Sequence, residues 1–489
     1  MDEMTPVGGS LLWEYGPNGE SLCAEVLHLP SSSKLAALIL AAGNGKRMKS
    51  EKPKVLSEVL FKPMICWVRD WCKKAEIDEM CVVISPEGEQ IRGLFDGTTH
   101  FAVQQERLGT GHAVMQAKEF LEAHRGGDVL VLNGDAPFID DETIRGALRL
   151  HREQECDVTV VTAEVDDPTG YGRIVRNQKN VAAIVEEADA DDAARAIREI
   201  NSGSFWFKVD FLLEALPKIE NDNVQGEYYL PDTVKVAVRD GRRVRAYCSP
   251  NRDIVLGAND RKGLLKLGEI ARMRVLDTLM EQGVDIVCAD GVLISPDATV
   301  GPDTAIYPGV IIKGKTSIGK GCTITGGSLI DSSVIGDGTL INSSQIYSSR
   351  VGDGARIGPF TQLRPDCVVA NGAKIGDFVE LKNCKIGERT SVAHLSYIGD
   401  SDVGARCNFG CGVAVANYDG NRKYRTVIGD DAFVGCNNSL VAPVRIGDNA
   451  YTASGSTITE DVPDGALAIA RARQVVKPGW AQKFRIKKR

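Results

Sequence analysis

Several runs in the second half of the chain carry an aliphatic residue at every sixth position, with a slip of one residue between Leu381 and Ile386. This period limits the possible folds more than any other feature. The members of the repeat are Val300, Ile306, Ile312, Ile318, Ile324, Ile330, Val351, Ile357, Leu363, Val369, Ile375, Leu381, Ile386, Val392, Ile398, Ile428, Val434, Leu440 and Ile446. A helix has no six-residue period, and an ordinary strand alternates every two residues. Stacked coils of short strands fit the pattern, because together they bury a core that no single repeat can bury. We therefore expect a β-solenoid over residues 291–470.

One segment interrupts the repeat. Residues 416–427 contain the polar run Asn417-Tyr-Asp-Gly-Asn-Arg-Lys423 and no aliphatic residue at the expected position. This composition predicts a loop extruded from the coil. Loops on rigid scaffolds often carry function.

The first half of the chain has a different pattern, in which short apolar runs alternate with helix-like segments. The predicted strands are Ala37–Leu40, Cys81–Ile84, Val129–Asn133 and Val158–Thr162. The predicted helices include Cys66–Ala75 and Gly111–His124. Such alternation indicates an α/β domain with a largely parallel sheet over residues 34–260.

The segments outside these two domains are less informative. Residues 261–282 predict one helix with an apolar face, within a linker over residues 261–290. Residues 1–33 fit neither pattern and form an N-terminal extension of unknown role. The tail over residues 471–489 is basic, which favours a solvated terminus and leaves phosphate or partner-subunit contact as the alternative.

The composition of the chain indicates its cellular compartment and the classes of molecule that it does not bind. The net charge of -8 argues against nucleic-acid binding, and no apolar run is long enough to span a bilayer. The first residues lack the basic start and apolar core of a signal peptide, so we expect a cytoplasmic protein. The 13 cysteines are scattered without CxxC pairs, which favours reduced, buried thiols over a zinc site.

A glycine-rich loop follows the first predicted strand. In Ala37-Leu-Ile-Leu-Ala-Ala-Gly-Asn-Gly-Lys-Arg-Met48, Gly43 and Gly45 allow backbone N–H groups to approach phosphate oxygens, and Lys46 and Arg47 add charge. The loop is neither a Walker A motif nor GxGxxG, since Met48 stands where the third glycine belongs. Taken alone, the loop fits a tight turn equally well.

Further motifs follow this loop in a fixed order. They are Pro53-Lys-Val-Leu56, Gln104–Gly111, Asn133-Gly-Asp135, Thr169–Ile174, Ile184–Glu186, Glu199–Gly203, Glu227–Leu230 and Gly257–Asn259. The ordered series resembles the sugar-1-phosphate nucleotidyltransferases. Together with the six-residue repeat, it is similar to the bifunctional UDP-N-acetylglucosamine pyrophosphorylase / glucosamine-1-phosphate N-acetyltransferase family over residues 34–480.

The resemblance implies a Rossmann-like α/β nucleotidyltransferase domain followed by a left-handed parallel β-helix. It also implies two reactions: acetyl transfer from acetyl-CoA to glucosamine-1-phosphate, then uridyl transfer from UTP to N-acetylglucosamine-1-phosphate with release of pyrophosphate. The product, UDP-N-acetylglucosamine, is a precursor of peptidoglycan and lipopolysaccharide. The family's active sites form between subunits, so a homotrimer is implied.

For uridyl transfer, the resemblance assigns a role to each matching position. The implied uridine-binding residues are Leu40, Gly43, Gln104, Gly109 and Thr110. The implied N-acetylglucosamine-1-phosphate-binding residues are Gly172, Glu186, Asn201 and Asn259. The implied Mg²⁺ ligands are Asp135 and Asn259, and the implied catalytic cations are Arg47 and Lys54.

For acetyl transfer, the resemblance makes His394 the general base, and it is the only histidine after residue 151. The implied glucosamine-1-phosphate-binding residues are Arg364, Lys382, Tyr397 and Asn408, with Glu380 in the same pocket. The implied acetyl-CoA-binding residues are Cys411, Asn417, Tyr418, Lys423, Cys436, Ser454 and Arg471, and the resemblance leaves open whether Asn417, Tyr418, Lys423 and Arg471 contact the sugar or coenzyme A. The family often has other residues where Cys411, Cys436 and Ser454 stand, which bears on coenzyme A affinity.

Two other readings stay open at this point. One is a single-function nucleotidyltransferase with a regulatory or oligomerising β-helix. The other is a non-catalytic assembly subunit. The polar residues set into the repeat disfavour the first, because a purely structural solenoid has no need of them. The presence of Arg47, Lys54, Asp135 and Asn259 disfavours the second.

Overall fold

The computed structural model describes residues 34–484 except 44, 51 and 224, so the extension over residues 1–33 and the last five residues of the tail lie outside the described part. The chain divides into two compact units. The described part of the first comprises residues 34–43 and 68–255. The second comprises residues 44–67 and 256 onward. The segment 44–67 thus belongs with the second unit, although the chain returns to the first unit after it.

The first unit is built on a nine-stranded sheet. Its strands are β1 (Leu35–Ala41), β2 (Glu79–Ile84), β3 (His100–Val103), β4 (Asp128–Asn133), β5 (Val158–Glu164), β6 (Arg173–Asn177), β7 (Asn180–Val185), β8 (Glu199–Lys208) and β9 (Val244–Cys248). The main strand order is β9-β5-β8-β4-β1-β2-β3, with β6 pairing to β8 and β7. The pairs β1–β2, β1–β4, β2–β3 and β5–β9 are parallel, and β8 runs antiparallel to both neighbours. This Rossmann-like sheet confirms the predicted α/β class.

The four predicted strands lie within β1, β2, β4 and β5. Their central residues are fully buried, as their continuous apolar runs indicate for strands covered on both faces. The helices of this unit are Met64–Lys74 (which begins in the segment of the second unit), Thr110–Met115, Lys118–Ala123, Asp141–Glu153, Asp192–Arg195, Val209–Ala215 and Asp232–Arg239, and the 3₁₀ turns are Pro86–Leu94, Glu187–Asp189, Leu216–Lys218 and Arg252–Val255. The single helix predicted over Gly111–His124 is wrong, because the chain breaks there into two short helices.

The predicted connecting helix is confirmed in the second unit as Arg261–Glu281. Asp260 caps its start by accepting a hydrogen bond from the Gly263 N–H at 2.8 Å. Its buried face consists of Leu267, Ala271, Leu276 and Leu279. The segment 44–67 adds 3₁₀ turns at Lys46–Met48 and Lys54–Leu56 and the short strands Glu58–Val59 and Lys62–Pro63. No helix of the described residues is long and apolar enough to cross a membrane.

The rest of the second unit is the predicted left-handed parallel β-helix. Short strands from Asp285–Ile286 to Leu467–Ala468 form three parallel sheets of eleven, ten and nine strands, and a 3₁₀ turn at Trp480–Phe484 follows. Up to the last coil, each strand pairs with the one three strands later, as Ile306 with Ile324 and Ile312 with Ile330. Every repeat residue named above belongs to one continuous buried core.

Candidate active sites

In the first unit, a cavity of about 420 Å³ lies at the carboxyl ends of β1 and β4, where α/β sheets place ligands. Three of the implied binding residues line it: Leu40, Thr110 and Glu186. The rest of the wall consists of Asn133, Gly170, Glu187, Ala188, Asp189, Gly203, Phe205, Gln225, Tyr229, Leu230 and Pro231. The mixture of apolar surface and a few polar groups suits a small polar ligand.

The loop from Gln104 to Gly111 is held in one shape beside this cavity. Gln104 is buried and donates from Nε2 to the Gly109 carbonyl at 3.1 Å. Gly109 has φ +106°, and a Cβ there would lie 2.5 Å from the Tyr228 carbonyl oxygen, so only glycine fits. The Gly111 N–H donates to that oxygen at 2.7 Å, and the Thr110 hydroxyl accepts from the Leu230 N–H at 3.0 Å. The loop is therefore pre-formed for ligand contact.

Gly172, Glu186 and Asn201, implied as sugar-binding, come together. A Cβ on Gly172 would lie 2.9 Å from Oε1 of Glu186. The Asn201 N–H donates to the Gly172 carbonyl at 2.8 Å. Burial, followed by the nearby Asp232 and Asp189 carboxylates, raises the pKa of Glu186. A partly buried acceptor of this kind fits recognition of sugar hydroxyl or amide groups.

In the second unit, Lys54 and Asn259 contact each other. Lys54 Nζ donates to Asn259 Oδ1 at 2.6 Å. Gly45 packs against Lys54, since a Cβ there would lie 2.9 Å from the Lys54 Cβ. Arg47 is exposed on the turn Lys46–Met48, and Arg261 holds that turn by donating to the Met48 carbonyl at 3.3 Å. Two of the implied phosphate-site cations therefore lie on structured turns.

The remaining implied residues of the uridyl site, Gly43 and Asp135, belong to the first unit. Asp135 lies two residues after the end of β4, and the Gly134 N–H between them donates to the Leu40 carbonyl at 2.9 Å. Among residues 34–484, apart from those not described, no group of three or more His, Cys, Asp or Glu could hold a metal ion by itself.

His394 ends a strand of the β-helix, and its ring has a carboxylate partner. Its Nδ1 lies 2.8 Å from Oδ1 of Asp377, on the preceding coil. The His394 side chain is 55% exposed, so the ring can be reached by a ligand. A hydrogen bond from its own backbone N–H, then the bond with His394, lowers the pKa of Asp377.

A cluster of cations lies on the neighbouring sheet of the β-helix. Arg364 donates to Glu380 at 3.0 Å, and Glu380 pairs in register with Tyr397. Contact with the Lys423 ammonium is the main cause that lowers the pKa of Lys382. Two adjacent ammonium groups repel each other without a counter-anion, which makes this cluster suited to a phosphate.

Tyr397 and Asn417 meet above Gly399. A Cβ on Gly399 would collide with the Tyr397 hydroxyl and lie 2.9 Å from the Asn417 amide nitrogen. The Asn417 amide donates to Asp400, which is buried and also accepts from Asn383 at 2.6 Å. The buried Asp400 carboxylate thus fixes Asn417 beside Tyr397.

The implied coenzyme A residues occupy one corner of successive coils and the extruded loop. The Asn437 N–H donates to the Cys411 carbonyl at 2.7 Å, and the Gly455 N–H donates to that of Cys436 at 2.8 Å, which stacks Cys411, Cys436 and Ser454. Arg471 lies across Gly455. The loop is confirmed between Ala414–Ala416 and Thr426–Ile428, with a bridge between Tyr418 and Lys423. Asn408 is exposed on the strand Asn408–Phe409.

Asp377 and Asp400 were not predicted from the sequence. Each touches a predicted residue located 17 positions away, His394 and Asn417 respectively. A coil of the β-helix returns to the same position after about that distance. Searching one coil before and after each candidate residue would have found both.

Comparison with known proteins covers nearly the whole chain. A family profile described as nucleotidyl transferase matches residues 36–254, and one described as bacterial transferase hexapeptide (six repeats) matches residues 348–383 and 425–460. A protein of Clostridium botulinum strain Langeland named "Bifunctional protein GlmU" is 44% identical over 449 residues, which is 91% of this chain and 98% of the relative. Proteins of the same name from Clostridium acetobutylicum and Acetivibrio thermocellus are 45% and 46% identical over 91% and 92% of this chain, and 98% and 97% of their own.

Proposed function

Because this chain belongs to the family of the bifunctional GlmU proteins, we propose that it makes UDP-N-acetylglucosamine by acetyl transfer and uridyl transfer at two separate sites. The observation that carries the proposal is a match over 91% of this chain, with family profiles that match residues 36–254 in the first half and residues 348–383 and 425–460 in the second. Residues 34–260 then act as the uridyltransferase domain and residues 291–470 as the acetyltransferase domain, joined by the linker 261–290.

Uridyl transfer needs no protein nucleophile. A phosphate oxygen of N-acetylglucosamine-1-phosphate attacks the α-phosphorus of UTP in line, and pyrophosphate leaves with the electron pair of the broken bond. The protein contributes position and charge. Leu40, Gln104 and the Gly109–Thr110 loop hold uridine, while Glu186 and Asn201 hold the sugar. Arg47 and Lys54 offset the charge on the phosphates.

The residues available for Mg²⁺ fit that ion. Asp135 offers a carboxylate and Asn259 an amide oxygen, and both are the hard donors that Mg²⁺ prefers. The described residues hold no larger acidic cluster, which suits an ion that keeps water and substrate phosphates as its other ligands. When bound, Mg²⁺ supplies positive charge to the phosphate oxygens. The Lys54 ammonium at 2.6 Å from Asn259 orients that amide oxygen.

Acetyl transfer uses His394 as the general base. The 2-amino group of glucosamine-1-phosphate attacks the thioester carbonyl of acetyl-CoA, and Nε2 of His394 accepts the amine proton as the new C–N bond forms. The C–S bond then breaks with its electron pair on sulfur, the His394 imidazolium gives up its proton, and coenzyme A leaves as its thiol. Arg364, Lys382 and Lys423 bind the phosphate of the sugar, and Tyr397, Asn408 and Asn417 position its ring. Cys411, Tyr418, Cys436, Ser454 and Arg471 lie along the coenzyme A path.

The proposal includes the assembly and its location. The chain forms a homotrimer whose acetyl-transfer sites lie between subunits, and it acts in the cytoplasm on small molecules, without nucleic acid or membrane insertion. The hexapeptide repeats support oligomerisation. In that arrangement the half-exposed His394 ring faces substrate held partly by the next subunit.

The test is to assay both half-reactions on one purified sample and on two variants. Asp135→Ala abolishes pyrophosphate release from UTP and N-acetylglucosamine-1-phosphate but leaves thiol release from acetyl-CoA and glucosamine-1-phosphate largely intact. His394→Ala gives the reverse pattern. Loss of both activities in either variant contradicts separate sites. If the unmodified protein performs uridyl transfer only, the result supports a regulatory or oligomerising β-helix. If it performs neither reaction, the result supports a non-catalytic assembly subunit.

A further inference from the structure

Two strands of the β-helix are longer than the rest, and they end on Asp377 and His394. Lys374–Asp377 and Ser391–His394 have four residues each, while the other described strands of the β-helix have two or three. The two strands pair in parallel with Asp377 directly opposite His394. The additional residues therefore extend the parallel strand pairing as far as Asp377 and His394.

The backbone on both sides of the pair is fixed. The Leu395 N–H donates to the Asp377 carbonyl at 3.0 Å. The His394 carbonyl accepts from the Ser396 hydroxyl at 2.8 Å and from the Gly412 N–H at 3.3 Å. Gly376 lets the strands approach, since a Cβ there would collide with the Ala393 carbonyl oxygen. Both side chains thus start from positions that three coils hold in place.

The contact between the His394 ring and the Asp377 carboxylate determines which ring nitrogen of the imidazole carries the proton. An ionised carboxylate only accepts hydrogen bonds, so the His394 Nδ1, at 2.8 Å from Asp377 Oδ1, must carry the proton. The neutral ring then has its lone pair on Nε2. Hydrogen bonds from its own N–H and from His394 hold the pKa of Asp377 below its usual range, which keeps the carboxylate ionised near neutral pH.

We propose that Asp377 is a positioning residue for His394: it holds the imidazole in the tautomer whose Nε2 accepts the amine proton, and it stabilises the imidazolium that forms. The inference rests on the proposed acetyl-transfer role of His394. Lys374, on the strand of Asp377, also acts on that carboxylate through its charge. On the next coil, Cys411 precedes Gly412, whose N–H donates to the His394 carbonyl.

The experiment measures kcat and KM for acetyl transfer in Asp377→Ala and Asp377→Asn between pH 5.5 and 9. Asp377→Ala lowers kcat by about tenfold to a hundredfold, which is less than the roughly 10²–10⁴-fold contributed by a general base itself, because His394 remains and loses only orientation and charge stabilisation. KM values for both substrates stay within about twofold, since no substrate-binding group changes. Asp377→Asn keeps an oxygen acceptor and retains more of kcat than Asp377→Ala.

The pH profile separates this role from a structural one. Without the carboxylate, the imidazolium is less stable, so the acid limb of kcat/KM moves to lower pH in both variants. Asp303→Asn is the matched control, since Asp303 is an exposed acid at a turn in an early coil and its loss leaves rate and profile unchanged. Uridyl transfer in each sample reports folding, and Asp377→Asn, the closest in shape, serves if Asp377→Ala folds poorly.

The outcomes distinguish this inference from the proposed function. If the unmodified protein transfers no acetyl group, the proposed function fails before Asp377 is considered. If the unmodified protein is active and both Asp377 variants keep its kcat and acid limb, the positioning role is overturned. A rise in KM at constant kcat also overturns it, because that pattern indicates a substrate contact.

Discussion

At the scale of single residues, Gly399 shows how little space the acetyl-transfer site leaves. Its backbone does not need glycine, because its φ is not positive. The missing side chain is what matters, since a Cβ would meet the Tyr397 hydroxyl and the Asn417 amide. Both groups are proposed to position the sugar, and Asn417 is held by the buried Asp400. Because Gly399 has no side chain, the Tyr397 hydroxyl and the Asn417 amide can occupy the space that a methyl group would fill.

We expect Gly399→Ala to raise the KM for glucosamine-1-phosphate by about tenfold, because displacing one good polar contact costs about 1.4 kcal/mol or more. Uridyl transfer does not change, since the substitution lies in the β-helix. Steady-state kinetics of both half-reactions check this. An unchanged KM would show that Tyr397 and Asn417 do not bind the sugar. Gly268→Ala, the same chemical change where a Cβ meets nothing within 4 Å, is the control.

Much of the candidate site was predictable residue by residue, because its motifs follow one another in order along the chain. Gly172, Glu186 and Asn201 lie in three such motifs and come together in the structure. Asp377 and Asp400 were not predictable in that way. Each lies in an ordinary repeat, and its importance arises only when the coil returns it beside a residue on the next turn.

At the scale of elements, the spacing of apolar residues along the chain determined which elements could be predicted. The six-residue repeat predicted the β-helix, and every named repeat residue is in its core. The stretch between Ile330 and Val351 escaped the pattern because three of its four steps shorten to five residues, yet Ile335, Ile341 and Ile346 continue the stack. The helix break after Met115 was also missed, since apolar spacing continues across it.

The helix Arg261–Glu281 offers a stability test at this scale. Gly268 lies in its interior, where glycine costs about 0.5–1 kcal/mol relative to alanine. A Cβ at this position has open space. Gly268→Ala should therefore raise the free energy of unfolding of the second unit by about 0.5–1 kcal/mol. Denaturant unfolding followed by circular dichroism measures this, and a lower midpoint would indicate that the helix is packed differently.

At the scale of the whole molecule, an exposed apolar stripe accompanies the acetyl-transfer site. Phe360, Phe378 and Leu395 are 60%, 57% and 59% exposed and occupy equivalent turns of successive coils. The rings of Phe360 and Phe378 stack at 5.4 Å. A stripe of this kind beside Asp377 and His394 favours coverage by a second subunit, in agreement with the proposed trimer.

We expect Phe378→Asn to weaken the assembly. Asparagine tolerates the φ of +56° at this turn, so the change removes apolar surface without straining the backbone. The mass measured by analytical ultracentrifugation should fall on dilution from three times 52.7 kDa toward the mass of a single chain. Acetyl transfer should fall with it, while uridyl transfer in the same sample is the internal control. A variant that stays trimeric at nanomolar concentration would place the stripe outside the interface.

The path of the chain between the two compact units has a consequence for how the enzyme can be divided. The backbone passes from one unit to the other after residues 43, 67 and 255, so the polypeptide crosses three times. A protease that nicks the last crossing leaves residues 44–67 joined by the backbone to the first unit, although they pack in the second, where Lys62 pairs with Asp297 at 2.7 Å. Gene fission after residue 255 would therefore leave residues 44–67 on the gene product that lacks the rest of the unit in which they pack.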